Sequence, residues 1–303
     1  MDLRDFEYLI ALAEEGSVSK AADRLFMAQS SLSQFLQQYE SELGVKLFIR
    51  TSRGIRPTAN GAVFIEHLRQ NVSYFKQARS ELWDNEGMKG GHVRLGISSF
   101  RGAQTLPKIL KQFSARYPEV HVDVAEEHSM RLEELLLEGR LDVAVIALPA
   151  VKLKNEASFL TKDEVFLVAP KGHPLCEKAR PCPGGGRWVS LRDAARWPFV
   201  LSGQSTILGN ISRGLFQKHK LRCQAEHENI SAAMAVSMAK AGIGLAFTYA
   251  SCVDPDDHLE LFRIGEKGVF LDLGVALPSR EYHSRAAQAL LETVCQVYRE
   301  EGE

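Results

Sequence analysis

The stretch MAQSSLSQFLQQYESELG, residues 27–44, decides the fold. From Gln29 to Tyr39 it carries no charged residue, yet it is rich in serine and glutamine. Placed at about 100° per residue, Leu32, Phe35, Leu36, Tyr39 and Leu43 share one arc and are expected to face a core. Ser30, Ser33, Gln34, Gln37, Gln38 and Ser41 fill the opposite face. Neutral amides and hydroxyls do less for solubility than lysine or glutamate, so that face asks for a partner. On periodicity alone two readings stay open: a solvated helix in a small bundle, or a helix that reads a polar ligand.

The flanking residues bear on the choice. Leu3, Phe6, Ile10 and Ala13 repeat at helical spacing and predict a first amphipathic helix, ended by Gly16. Ser17 suits the N-cap of a short helix through Leu25, in which Ala21 and Ala22 allow close helix approach. A short helix, a tight turn and a second helix with a polar face make a helix-turn-helix. Its second helix lies in the DNA major groove, where glutamine pairs with adenine and serine meets bases or phosphates. Carboxylates would be repelled there, which accounts for their absence.

Beyond Gly44, VKLFIR (45–50) reads as a strand and TSRGIRPT (51–58) as a glycine-centred turn. No acid falls between Glu42 and Glu66, while Lys46, Arg50, Arg53 and Arg56 do. A basic hairpin beside a recognition helix is a wing that reaches phosphates or the minor groove. The residues expected to meet double-stranded DNA are Gln29, Ser30, Ser31, Ser33, Gln34 and Gln37, then Arg50, Arg53 and Thr58.

The run FEYLIALAEEGSVSKAADRLFMAQSSLSQFLQQYESELGVKLFIRTSRGIRPTANG resembles the N-terminal domain of LysR-type transcriptional regulators, from Leu3 to about Trp83. Three positions depart from the family pattern. Ala28 stands where the family usually has Ser or Thr, and Ser30 where Pro is common. Gln34 replaces a frequent Arg, so the preferred DNA sequence does not carry over. Losing a hydroxyl cap costs about 1 kcal/mol, so the recognition helix is expected to fray or to begin differently.

From residue 58 to about residue 87, Phe64, Leu68, Val72, Phe75, Ala78 and Leu82 recur every three or four residues. One apolar stripe on a long helix wants another helix, either on this chain or on a partner. The resemblance implies an antiparallel dimerisation helix, a homodimer, and a homotetramer joined through the C-terminal domains. NEGMKGG (85–91) reads as a hinge. After it, strand and helix patterns alternate to a last helix at 284–300, which predicts α/β layers with parallel strands. The resemblance implies an α/β effector domain of two lobes, like a periplasmic binding protein. The expected organisation is a winged helix-turn-helix at 1–58, a linker helix at 59–88 and the effector domain at 89–303. Lobe I would hold 91–161 and 268–303, and lobe II 162–267, with crossings near Thr161 and Lys267.

Open α/β sheets bind ligands beyond the carboxyl ends of their strands, at helix N-termini. The candidates there are Ser98, Ser99, Phe100, Arg101 and Ser129 on one lobe, and Ser202, Gln204, Ser205, Thr206, Phe247 and Thr248 on the other. Each hydroxyl could equally be a helix cap that never touches a ligand. Hydroxyls with free backbone N–H groups would suit a small-molecule effector bearing a carboxylate.

Composition narrows the class. The 303 residues, 45% hydrophobic and 25% charged, predict a soluble chain of more than one domain. The N-terminus lacks the blocks of a signal peptide, and the apolar runs are too short for a membrane span, so a cytoplasmic protein is expected. A net charge of −1 gives no global attraction to nucleic acid, so DNA binding rests on local charge. The five cysteines are odd in number and form no CxxC pair, which suits reduced thiols. A redox switch at Cys176 and Cys182 is an alternative of the same fold. His219, Cys223 and His227 stand four apart but straddle a helix end and a strand, so no metal is expected there. No P-loop, GxSxG or nucleophile with a base is present, so no catalytic residue and no cofactor are expected. A solute-binding protein would need an export signal, and an α/β enzyme a catalytic constellation.

Overall fold

Asp2 opens the first helix, α1 (Leu3–Glu15), through a capping box with Asp5, and Gly16 ends it at φ 59°. The computed structural model describes residues 2–52, 54–85, 90–153, 157–182, 185–253, 258–278 and 282–300. Arg53 and most of the hinge expected at 85–91 lie outside the described residues. The chain divides into two compact units, one of residues 1–86 with 138–140 and one of residues 87–137 with 141–303.

In the first unit, Leu9, Ala11 and Leu12 are the buried residues of α1, and the expected Leu3, Phe6, Ile10 and Ala13 flank them half-buried. Ser17 caps α2 (Val18–Arg24), and Ala21 and Ala22 are buried at 0% and 1% exposure. Helix α3 (Gln29–Leu43) begins after Ala28 with no side-chain cap, so the missing hydroxyl has not moved its start. Leu32, Leu36 and Tyr39 are buried, and Phe35 packs edge-on to Tyr8 at 5.2 Å between ring centroids.

The expected place of Leu43 in the core is overturned. Leu43 is exposed, and Glu40 is buried instead. One Glu40 oxygen accepts from Leu47 N (2.8 Å) and Phe48 N (3.0 Å), and the other from Lys46 Nζ (2.6 Å). The chain reverses at Gly44 (φ 68°), which turns those N–H groups toward the helix end, where a carboxylate can satisfy them. This clamp uses Leu47 N and Lys46, and the strand starts later than expected, as β1 (Phe48–Thr51).

Strand β1 pairs antiparallel with β2 (Gly54–Pro57) in the hairpin. Gly54 sits at φ +127°, where a Cβ would lie 2.2 Å from the Gly16 carbonyl oxygen. The Thr58 hydroxyl accepts from Gly61 N (2.9 Å) and donates to Lys46 O (2.9 Å), capping α4 (Ala59–Asn85). The stripe on α4 has two fates. Leu68 and Val72 are buried in this unit and Phe64 is half-buried, whereas Phe75, Ala78 and Leu82 are exposed, as is Tyr74 beside them.

The second unit opens with β3 (His92–Ile97), α5 (Ser99–Arg116), β4 (His121–Glu126), α6 (Ser129–Leu137) and β5 (Val143–Leu148). Strand β6 (Ala157–Pro170) leads into β7 (Arg180–Pro181), β8 (Arg187–Val189), α7 (Leu191–Ala194), β9 (Pro198–Ser202), α8 (Ile207–Lys218) and β10 (Gln224–Ile230). Then follow α9 (Ala232–Lys240), β11 (Ala246–Tyr249), β12 (Leu259–Ile264), β13 (Phe270–Ala276) and α10 (Arg285–Glu300). Among the described residues no helix is long and apolar enough to cross a membrane.

Strands β3, β4 and β5 pair in parallel, as do β9 and β10. The expectation of parallel strands throughout fails at β6 and β13. Strand β13 runs antiparallel to both β5 and β6, because the chain comes back to the first lobe in the opposite sense. The first half of β6 pairs with β13 as far as Glu164, and the second half, from Val165, with β11 and β12. In the second lobe, Phe199, Phe216 and Phe247 pack ring against ring at 5.1–6.3 Å.

Two substitutions test the first unit. Ala28→Ser adds the missing cap, worth about 1 kcal/mol, and should slow hydrogen exchange of the α3 amides about fivefold. Glu40→Gln presents an amide N–H to donors and should cost about 1–3 kcal/mol, read as faster exchange at Leu47 and Phe48. Unchanged exchange in Glu40→Gln would show that the clamp contributes nothing.

Candidate functional site

Two surfaces carry the candidate residues, one in each unit. On α3, Gln29, Ser30, Ser31, Gln34 and Gln37 are exposed, and Ser33 is half-buried beside Leu32. The first turn of α3 holds no acid and no side-chain cap, so its N–H groups and dipole favour an anion. On the wing, Arg50 and Arg56 are exposed on adjacent strands, with Ile49 paired to Arg56 and Arg50 to Ile55. Thr58, expected at the DNA, has its hydroxyl committed to capping α4. Helix capping explains that threonine without a ligand.

In the second unit, a cleft of about 430 Å³ opens between the lobes. Ser98, Ser99, Phe100 and Arg101 line it from the start of α5, and Ser129 from the start of α6. Thr206 at α8, Ser231 at α9 and Tyr249 at the end of β11 line it from the other lobe. Val145, Ile146, Ala147, Ile207, Leu208 and Leu273 make much of the wall apolar.

The hydroxyls divide by what they already do. Thr206 accepts from Gly209 N (3.0 Å) and Ser231 from Met234 N (3.2 Å), so both cap their helices. Ser129 Oγ accepts from Ala147 N (2.9 Å), which ties α6 to β5. Ser98 sits at the N-cap position of α5 but makes no side-chain cap bond. Its hydroxyl therefore does not cap the first N–H groups of α5, which face the cleft.

Five expected residues lie elsewhere, among them Ser205, which is exposed in the turn before α8. Ser202 is buried at the end of β9, where its carbonyl accepts from Arg213 Nη1 (2.7 Å), and Gln204 is exposed in the turn that follows. Phe247 belongs to the aromatic trio of the core, and Thr248 is 1% exposed. Both faces of β11 are covered, so only its last residue, Tyr249, reaches the cleft. Ser231 could have been found from its place before a run of alanines, as an N-cap signal. Tyr249 carried no signal of its own.

Arg101 anchors this end of the cleft. Its guanidinium lies 3.7 Å from the Tyr249 ring centre and donates to Asp163 at 3.3 Å. Asp163 also accepts from Ser251 N (3.1 Å) and Ser251 Oγ (2.7 Å). Burial opposes the Arg101 charge, but Tyr249 and Asp163 outweigh it and hold the guanidinium above its usual range. Burial likewise pushes the Tyr249 phenol up, keeping it neutral. Arg101 Nε is buried without a hydrogen-bond partner among the described residues, a costly state for a donor. Glu126, Glu127 and His128 also line the cleft beside the end of β3, where Glu127 N donates to Ile97 O (3.3 Å) and His128 Nδ1 accepts from Arg131 N (3.3 Å).

All five cysteines are free. Burial pushes the Cys223 thiol up to about 11 and raises Cys176 and Cys295 as well. These environments favour the thiol over the reactive thiolate.

Removing one partner of a buried ion pair typically costs about 3–5 kcal/mol. Arg101→Ala should therefore lower the melting temperature of the second unit, and a melting curve like wild type would overturn the pairing. At neutral pH the raised Cys223 pKa predicts a thiolate fraction about a hundredfold below that of an ordinary thiol. Iodoacetamide labelling followed by mass spectrometry should show Cys223 slow in the folded chain and fast after denaturation.

Comparison with known proteins agrees with this division. Residues 86–299 match the family model described as the LysR substrate binding domain. Residues 3–62 match that of the bacterial regulatory helix-turn-helix protein, lysR family. The HTH-type transcriptional regulator ShiR of Corynebacterium glutamicum (strain R) is 33% identical over 251 residues, 82% of either chain. AlsR of Bacillus subtilis (strain 168) is 28% identical over 254 residues, covering 83% of this chain and 81% of its own. The crystal structure of CbnR, a LysR family transcriptional regulator, superposes with a TM-score of 0.66 at 19% identity, covering 98% of this chain and 99% of that one. With a family model spanning most of its length, the chain belongs to the LysR family, as a DNA-binding transcriptional regulator with an effector-binding domain rather than an enzyme.

Proposed function

We propose that this regulator's hold on DNA is modulated by a small anionic molecule bound between the two lobes. The observation that carries the reading is the convergence of four helix N-termini, α5, α6, α8 and α9, on one largely apolar cleft. Three of them carry a side-chain cap, from His128, Thr206 and Ser231, and α5 does not. An anion at α5 would meet the Ser98 hydroxyl, backbone N–H groups and the positive end of the helix dipole. Arg101, with its unpartnered Nε, stands beside that spot and adds a charge-assisted donor. A volume of about 430 Å³ and apolar walls suit a body the size of a substituted ring.

The chain is organised for this as a winged helix-turn-helix at 1–58, a linker helix at 59–88 and an effector domain from 89 onward. Gln29, Ser30, Ser31, Ser33, Gln34 and Gln37 face the bases, and Arg50 and Arg53 face phosphates. The exposed apolar half of α4, with Tyr74, Phe75 and Leu82, is the surface for a second subunit. Dimers of such motifs bind half-sites spaced by about one helical turn or a multiple of it. A ligand shifts this system only through different affinities for two arrangements of the assembly. The redox alternative finds less support, since the thiols with resolved shifts are raised.

The test is a titration of DNA affinity against a panel of aromatic and aliphatic carboxylates. Ser98→Ala should weaken the active compound about ten- to hundredfold and leave DNA binding without ligand unchanged. A response that persists in Ser98→Ala and Arg101→Lys alike would move the effector elsewhere. Replacing Gln34 should cost discrimination between sequences of about 1–3 kcal/mol. Arg50→Ala should weaken all sequences alike and flatten the salt dependence.

A further inference from the structure

We propose that His92, His121 and Asp123 form a binding site for a divalent transition-metal ion, with zinc as the occupant. The three residues come together through sheet register. Strands β3 and β4 are parallel, and His92 is the direct partner of His121. Asp123 follows His121 by two residues, which returns its side chain to the same face of the strand. The imidazole rings stand 5.3 Å apart between centroids. His121 Nε2 lies 3.2 Å from one Asp123 oxygen, and His92 Nδ1 lies 3.7 Å from the other.

Those separations match what a metal requires. Zinc bound to imidazole nitrogen and carboxylate oxygen at about 2.0–2.2 Å in a tetrahedron holds its donors about 3.3–3.5 Å apart. The two measured separations bracket that span, and one donor atom from each residue falls within 4.8 Å of the others. Small side-chain rotations close the set, because all three are more than half exposed and not locked by packing. Two imidazoles and a carboxylate leave the outward side open to water, and that donor mixture suits zinc rather than magnesium or calcium.

A purely structural role explains the cluster less well. Exposed histidine–aspartate pairs contribute little to stability. Arg94, the register partner of Asp123, binds Asp142 through two side-chain nitrogens at 3.1 and 3.2 Å. The site also occupies an informative position. Strand β4 is the sheet edge, and His92 is the first residue of β3, so a bound ion would staple the edge to the strand that opens the second unit. An ion that binds only the folded chain raises its stability by mass action.

Full-length protein titrated with zinc chloride in a calorimeter should bind one ion per chain with a dissociation constant on the order of micromolar. The melting temperature should rise with zinc. His92→Gln and His121→Gln, both at exposed positions, should each weaken zinc by about tenfold or more without changing the circular dichroism spectrum. Cobalt should give d–d absorption without thiolate charge-transfer bands. Zinc affinity unchanged in both variants, charge-transfer bands that place the ion on cysteine, or no binding at about 0.1 mM metal would each overturn the site.

Discussion

The second unit depends on one continuous strand. Strand β6 gives its first half to β13 and its second half to β11 and β12, so both lobes hydrogen-bond to the same backbone. Asp163 sits at the change of partners and binds Arg101 from the start of α5 together with Ser251 from the turn after β11. The crossing thus joins two elements that line the cleft. The proposed anion site at α5 and the contacts between lobes share Arg101, which gives a ligand there a physical route to the arrangement of the lobes. A buried charge with several partners is costly to disturb, so such a junction favours discrete states over gradual ones.

The first unit is governed by a different economy of polar groups. Its recognition helix is uncharged along the face expected at the bases, and the exposed arginines Arg50 and Arg56 stand on the hairpin instead. Holding that wing in place falls to Glu40, a buried carboxylate whose oxygens take two backbone N–H groups and an ammonium. Thr58 then fastens the wing to the linker helix through two further hydrogen bonds. A charge placed at the helix end, away from the DNA face, stabilises the motif without repelling the phosphates.

Much of the site was legible before the structure, and the misses share a cause. Ser98, Ser99, Phe100, Arg101 and Ser129 line the cleft because they follow strand ends that are short and clearly bounded. Phe247 and Thr248 were placed two and one residues too early, since β11 is covered on both faces and its alternation gives no phase. Ser202 failed for the same reason at β9. Which hydroxyl caps and which remains for a ligand was open in each case, because capping and anion binding use the same chemistry at the same position.

What the sequence by itself determined is what local periodicity and composition can carry. It determined the helix-turn-helix with its uncharged face, the basic wing, the long apolar stripe of α4 and the strand–helix alternation. These are properties of neighbours a few residues apart, where side-chain direction follows from the backbone repeat. Only the tertiary structure decided that Glu40 replaces Leu43 in the core, that α4 buries half its stripe and exposes the rest, and that β13 returns antiparallel. It also decided the meeting of Arg101 with Asp163, 62 residues apart, and of His92 with His121 and Asp123 across two strands. Such pairs are set by register and chain reversal over long separations, and no spacing within one element encodes them.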